Sequence, residues 1–173
     1  MNILPLFKKI KAFVFDVDGV LTDGTLVILN DGLQARTMHI KDGLALQMAV
    51  KKGYLVKIIS GSDSAAVKDR LQRLGIDDVN MGVRNKKQAV ADFITSKGLH
   101  PEEILYMGDD LPDMAAMESV GLPCCPADAI DEVKKISQYI SHLDGGKACV
   151  RDVIEKVLKL NDHWQFTDDI TSK

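Results

Sequence analysis

The sequence predicts an α/β protein built on a doubly wound parallel sheet, and three observations carry that prediction. Short apolar, β-prone runs recur along the chain, the first at Ala12-Phe13-Val14-Phe15, as strands buried on both faces require. Stretches with helical periodicity separate these runs. Three of the runs end in polar clusters: Asp16-Val17-Asp18-Gly19, Ser60-Gly61-Ser62-Asp63 and Gly108-Asp109-Asp110-Leu111-Pro112-Asp113. Sheets of this class build their sites at the carboxyl ends of the strands, where such clusters fall.

The first strand ends in Asp16 and Asp18, two residues apart. Held together, two such charges repel unless a cation sits between them or one keeps its proton. That points to a magnesium site, a nucleophile and acid pair, or both. Two β-prone runs, 25–29 and 33–40, then flank Asn30-Asp31-Gly32 and read as a hairpin at about 25–40. Its outer face would carry Leu26, Ile28, Met38 and Ile40, with Val27 and Leu29 opposite. A two-stranded ribbon that is apolar on both faces does not stand alone in water, so it either folds back on its own domain or pairs with copies from other subunits, and oligomerisation is the favoured expectation.

Asp42 is placed to cap a helix running to Gly53, with Leu44, Ala45, Met48 and Val50 as a partial stripe. Residues 54–59 form the second central strand, ending at Ser60. Val67, Leu71 and Leu74 share one face of the next helix, which Gly75 stops. A short strand near Val79-Asn80-Met81 leads to Asn85-Lys86-Lys87 at the start of a helix whose buried side is Ala89, Val90, Phe93 and Ile94. Pro101-Glu102-Glu103 turns into a strand over 104–107, followed by a helix carrying Met114 and Met117. A brief strand over 121–124, a helix from about Ala129, a strand over 137–140 and a helix over about 147–160 complete the pattern.

Strands alternating with helices in this order give a Rossmann-like sheet with a protruding β-hairpin. Roughly forty residues separate the first motif from Ser60 and roughly twenty separate Lys86 from Asp109, too few for an inserted lid, so no cap domain is expected. Residues 1–160 are read as one hydrolase-like domain. The tail, 161–173, is polar apart from Trp164, Phe166 and Ile170.

Bulk properties narrow the function. A chain of 173 residues, 46% hydrophobic and 27% charged, is a single globular domain by size and composition. A net charge of -3 offers no basic stripe for nucleic acid. Lysines interrupt the N-terminal apolar patch, and Asp16 and Asp18 follow too soon for a signal peptide or membrane span, so a cytoplasmic protein with no membrane partner is expected. The three cysteines, two of them adjacent, have no zinc spacing and read as buried or reduced thiols, and the four histidines form no ligand pair.

The strand ends together present Asp16, Asp18, Ser60, Lys86, Asp109, Asp110 and Asp113. This is a phosphoryl-transfer set: a carboxylate to attack phosphorus, a hydroxyl and an ammonium to hold its oxygens, and a second carboxylate to move protons. Asp16 and Asp109 offer the oxygen ligands that magnesium prefers.

In content and order these motifs resemble the haloacid dehalogenase superfamily of phosphohydrolases. The resemblance extends to about residue 160 and is closest to the small, capless branch that acts on octulosonate 8-phosphates and nonulosonate 9-phosphates. It implies that Asp16 is the nucleophile that forms an aspartyl-phosphate. Asp18 would protonate the leaving alcohol, then activate water, and give magnesium its backbone carbonyl. Ser60 and Lys86 would grip the phosphoryl group; Lys87 is the alternative, but the family's Asn-Lys pattern favours Lys86. Asp109 would ligate magnesium, with Asp110 and Asp113 in support. Gly61, Ser62 and Arg70 would meet the substrate, Arg70 aligning with an arginine that faces the sugar acid.

The resemblance also implies a homotetramer with the hairpin at the interface and a phosphorylated sugar acid as substrate. Two departures fall where the substrate is chosen. Ser62 replaces the arginine or glutamate usual there, and Gly145-Gly146-Lys147-Ala148-Cys149-Val150-Arg151 lacks one family glycine. A phosphatase of another small ester is therefore an alternative. A phospho-receiver is a rival from another class, but Asp18 and the late acidic cluster have no role in one. An inactive scaffold does not account for the intact catalytic set.

Overall fold

The computed structural model describes residues 2–166. Six parallel strands form the main sheet: β1 (Ala12–Phe15), β4 (Leu55–Ile59), β5 (Asp78–Asn80), β6 (Ile104–Met107), β7 (Leu122–Cys125) and β8 (Tyr139–Ile140). Their spatial order is β5-β4-β1-β6-β7-β8, so the first strand lies at the centre and the chain winds outward on both sides. Asp16 therefore leaves the sheet between β4 and β6, at the topological switch point. A separate antiparallel ribbon, β2 (Val27–Ile28) with β3 (Gln34–Ala35), is the hairpin, and among the described residues no cap domain covers the site.

Strand alternation divides the core in two. Phe13, Phe15, Leu105 and Met107 face α1 (Leu4–Lys9), α2 (Ile40–Lys51), α3 (Ala65–Arg73) and α7 (Cys149–Leu160). Ala12, Val14, Ile104 and Tyr106 face α4 (Lys86–Lys97), α5 (Met114–Met117) and α6 (Asp131–Ile136). Both layers are closed and apolar, which gives the central strands their burial on both faces.

One element is added to the sequence reading and three expectations change. The N-terminal patch is helical as α1: Pro5 fits its first turn and Phe7 is buried, although lysines break the apolar pattern. The helix expected from Asp42 starts at Ile40 and is capped by the His39 ring, which accepts from Lys41 N. Asp42 is itself 1% exposed and accepts the Arg151 N–H at 2.7 Å, so it caps α7 rather than its own helix. The ribbon is shorter than 25–40: Met38 packs on the core and Ile40 belongs to α2, while Leu26, Val27, Ile28, Leu29 and Leu33 stay exposed.

The start of the tail docks on its own domain. Trp164 packs against the core beneath the Arg151 guanidinium, and the Tyr54 hydroxyl lies 2.9 Å from His163 Nδ1. Ile170 lies outside the described residues. Cys124, Cys125 and Cys149 are buried free thiols. Among the described residues no helix is long and apolar enough to cross a membrane.

Candidate active site

Asp16, Asp18, Ser60, Gly61, Ser62, Lys86, Asp109, Asp110 and Asp113 line one cleft of about 330 Å³ at the carboxyl edge of the sheet. Local backbone geometry puts them there. After β1 the chain turns sharply through 17–21, with Gly19 at φ 90°. A side chain at Gly19 would collide with Asp109, its Cβ falling 2.0 Å from Oδ2. Gly145 closes the turn from behind, where a Cβ would fall 2.0 Å from the Gly19 carbonyl oxygen. The glycine pair near the C-terminus thus lets α7 support the turn that carries Asp18.

Lys86, at the start of α4, is 6% exposed and lies 2.9 Å from Asp16 Oδ1 and 2.8 Å from Asp113 Oδ1. Its neighbour Lys87 is exposed, so Lys86 is the lysine of the cleft. Burial opposes the charge on Lys86, but Asp16 and Asp113 outweigh it and hold its pKa above the usual lysine value. Asp113 is 1% exposed and also accepts from the Tyr106 hydroxyl at 2.7 Å. It is thus a buried partner to Lys86 and more than a favourable charge at a helix start. Asp110 accepts the Leu111 N–H and caps the short turn that follows.

Oxygens of Asp16, Asp109 and Asp113 lie within 4.8 Å of one another. Burial, then the charge of Asp113, push Asp16 up to about 7 against the pull of Lys86. Burial, then the charges of Asp16, Asp113 and Asp110, push Asp109 up to about 7. Asp109 Oδ1 is buried without a hydrogen-bond partner. An orphaned carboxylate oxygen amid surplus negative charge is what an oxygen-seeking divalent cation would satisfy, so these residues fit magnesium. The oxygens of Asp113 already accept from Lys86, Tyr106 and Asp109 N, which leaves Asp16 and Asp109 as the better donors.

Asp18 lines the same cleft but has a different set of partners. Arg36 Nε donates to its Oδ1 at 2.6 Å and Nη2 to Oδ2 at 3.2 Å, while Ser62 Oγ donates to Oδ2 at 2.7 Å. Burial raises its pKa, but the hydrogen bonds from Arg36 and Ser62 outweigh this and hold it below the usual carboxylate value. Ser60 is 1% exposed, with its hydroxyl 3.0 Å from that of Ser62. Arg70 is absent from the cleft lining; it borders an adjoining groove of about 450 Å³ with Arg36, Met38 and Ser64. Arg36 and Tyr106 are the residues that sequence reasoning missed. Neither belongs to a strand-end motif.

The same architecture occurs in known proteins. A family profile described as haloacid dehalogenase-like hydrolase matches residues 78–145. The 3-deoxy-D-manno-octulosonate 8-phosphate phosphatase of Salmonella typhi is 34% identical over 157 residues, covering 91% of this chain and 84% of the relative. The crystal structure of the phosphatase of that name from Yersinia pestis matches with a TM-score of 0.91 at 29% identity, covering 93% and 87% of the two chains. The one from Moraxella catarrhalis, in complex with magnesium, phosphate and KDO, matches with a TM-score of 0.90 at 33% identity, covering 93% of each chain. Sequence and fold agree along nearly the whole length, and the chain belongs to the haloacid dehalogenase-like hydrolase family.

Proposed function

We propose that this protein is a magnesium-dependent phosphomonoesterase acting on a phosphorylated 2-keto-3-deoxy sugar acid. The observation that carries the proposal is the cluster of Asp16, Asp109 and Asp113 around Lys86 at the switch-point cleft. Asp16 attacks phosphorus and forms an aspartyl-phosphate; Asp18 gives a proton to the leaving alcohol and then takes one from the attacking water. Ser60 and Lys86 bind the phosphoryl oxygens, and Asp113 and Tyr106 keep Lys86 in place. Asp16, Asp109 and the backbone carbonyl of Asp18 would hold magnesium, which would supply the charge that lets a carboxylate approach a phosphate dianion.

The relatives named above support 3-deoxy-D-manno-octulosonate 8-phosphate as the substrate, ahead of a nonulosonate 9-phosphate or another small ester. Gly61, Ser62 and Arg70 are the proposed substrate contacts, with Arg70 reaching from the adjoining groove. The exposed Leu26, Val27, Ile28, Leu29 and Leu33 support assembly through the hairpin, as a cytoplasmic homotetramer in this reading.

Phosphate release across sugar-acid phosphates and common metabolite esters, with and without magnesium, tests this reading. The expected result is magnesium-dependent turnover of one sugar-acid phosphate, lost by at least about a thousandfold in Asp16→Asn. Undiminished hydrolysis by Asp16→Asn would remove the mechanism. Flat, weak activity across the panel would remove the substrate class alone.

A further inference from the structure

Of the five arginines in the sequence, Arg36, Arg73 and Arg151 form ion pairs with Asp18, Asp69 and Glu155. Arg70 is engaged as well. Arg84 differs: it is exposed, and among the described residues its guanidinium has no hydrogen-bond or ion-pair partner. It nevertheless lines the candidate cleft, together with Asp16, Ser60, Ser62 and Lys86. The backbone on either side of it is anchored. Gly82 N donates to the Ser62 carbonyl at 3.0 Å, and Val83 N donates to the Ser60 carbonyl at 2.9 Å. On the other side Asn85 caps α4, accepting from Gln88 N at 3.0 Å. An unpaired fork thus stands on a fixed loop, beside the residues proposed to hold the phosphoryl group.

The charges that line the cleft limit what this fork can serve. Asp16, Asp18, Asp109, Asp110 and Asp113 supply five carboxylates, against two cations, Lys86 and Arg84. Lys86 already bonds Asp16 and Asp113. A phosphorylated sugar acid brings a carboxylate besides its phosphate, and a wall of like charge opposes both. In the reading above Lys86 and Ser60 serve the phosphate end, which leaves Arg84 as the cleft's cation for the carboxylate end. A guanidinium suits that partner, since its planar fork meets a carboxylate with two parallel hydrogen bonds. Arg36 would have to give up Asp18 to do the same, whereas Arg84 gives up nothing.

We infer that Arg84 is a specificity-determining residue whose guanidinium receives the carboxylate of the sugar-acid substrate. The inference rests on the phosphatase reading of the cleft. No bond is made or broken at Arg84 and no proton moves there. Its contact is the same in the bound substrate and in the transition state, so its loss falls on KM more than on kcat.

The test compares kcat and KM for 3-deoxy-D-manno-octulosonate 8-phosphate and for its C1 amide, which keeps the shape and loses the charge. Wild type, Arg84→Gln, Arg84→Glu and Arg70→Gln are measured with magnesium. In Arg84→Gln the loss of kcat/KM on the acid is expected to exceed that on the amide by about tenfold or more, carried by KM. Arg84→Glu should widen that gap, because it sets a like charge against the carboxylate. Equal losses on both esters would make Arg84 a support of its loop and overturn the inference. A gap that appears in Arg70→Gln and not in Arg84→Gln would place the carboxylate in the adjoining groove and overturn it too. Wild-type silence on the acid removes the substrate reading and this inference with it. Turnover of the acid by wild type with no gap in Arg84→Gln removes the inference alone.

Discussion

Among the described residues two lysines are buried beside aspartates, and their surroundings differ in charge balance. Lys57, inside β4, is 5% exposed, bonds Asp78 and Asn80, and sits 5.3 Å from the centre of the Phe93 ring. One ammonium there meets one carboxylate. Lys86 meets Asp16 and Asp113, with Asp109 alongside, so three carboxylates surround one ammonium. With all three ionised the second cluster holds surplus negative charge, and Asp16 and Asp109 are driven up to about 7. A buried lysine is therefore a weak sign of function. An unmatched charge sum beside it is a strong one. Cavity size misleads in the same way. A hollow of about 850 Å³ at the opposite edge of the sheet, lined by Lys8, Lys9, Lys11, Lys52, Tyr54 and His100, exceeds the candidate cleft and holds none of the clustered carboxylates.

The contrast is most directly broken by exchanging the two ammonium groups for methionine. Lys86→Met should lower phosphate release by at least about a hundredfold, because it removes a charged donor from the place where charge develops. Lys57→Met should keep turnover within a few-fold of wild type and lose about 2 kcal/mol in denaturant unfolding. That figure sits below the range for a fully buried pair because the Asp78 side chain is 32% exposed. Comparable losses of activity in both variants would show that charge balance does not separate the clusters.

Metal and pH sharpen the comparison next. A cation that satisfies Asp16 and Asp109 stabilises the fold by about 2.7 kcal/mol at a hundred times its dissociation constant. Thermal melts should therefore rise with magnesium in wild type and stay flat in Asp109→Asn. Without metal, Asp16 and Asp109 hold their protons more tightly folded than unfolded, with values near 7 against 3.8. Their contribution to stability is fully present below about pH 4 and is lost as pH rises to about 7. Magnesium should flatten that slope. Asp42, pushed up to about 6 chiefly by burial, adds a slope of the same sign that magnesium should not relieve. Melts from pH 4.5 to 7.5, with and without magnesium, in wild type and Asp42→Asn separate the two sources. A metal-independent slope throughout would remove the cation from the cluster.

What was legible in the sequence follows the same physical divide. The central strands were legible because burial on both faces leaves unbroken apolar runs at 12–15 and 104–107. Asp16, Ser60, Lys86 and Asp109 were legible because each follows a strand or opens a helix at one edge of the sheet. Arg36 was not, since an arginine amid exposed hairpin residues has the signature of a solvated one. Its burial depends on the ribbon folding back over Asp18. Asp42 was misread because an acid near a helix start has the same local pattern whether it caps its own helix or a neighbour. Tyr106 hides inside an apolar run, and only the tertiary approach of Asp113 gives its hydroxyl a partner.

The smallest effect is expected at the half-exposed end of the structural pair. Asp78→Asn removes the carboxylate that Lys57 bonds but leaves Asn80 and the Phe93 ring in place. Water reaches Asp78, so the ammonium gains a hydrated neighbour rather than an empty one. The loss should stay below about 1 kcal/mol, as for other solvent-accessible pairs, with phosphate release unchanged. Denaturant unfolding and turnover measured on the same preparation check both halves. A large stability loss would mean that Lys57 depends on its one carboxylate as fully as Lys86 depends on its acids. The two clusters would then differ in place and chemistry and no longer in their tolerance of an unpaired charge.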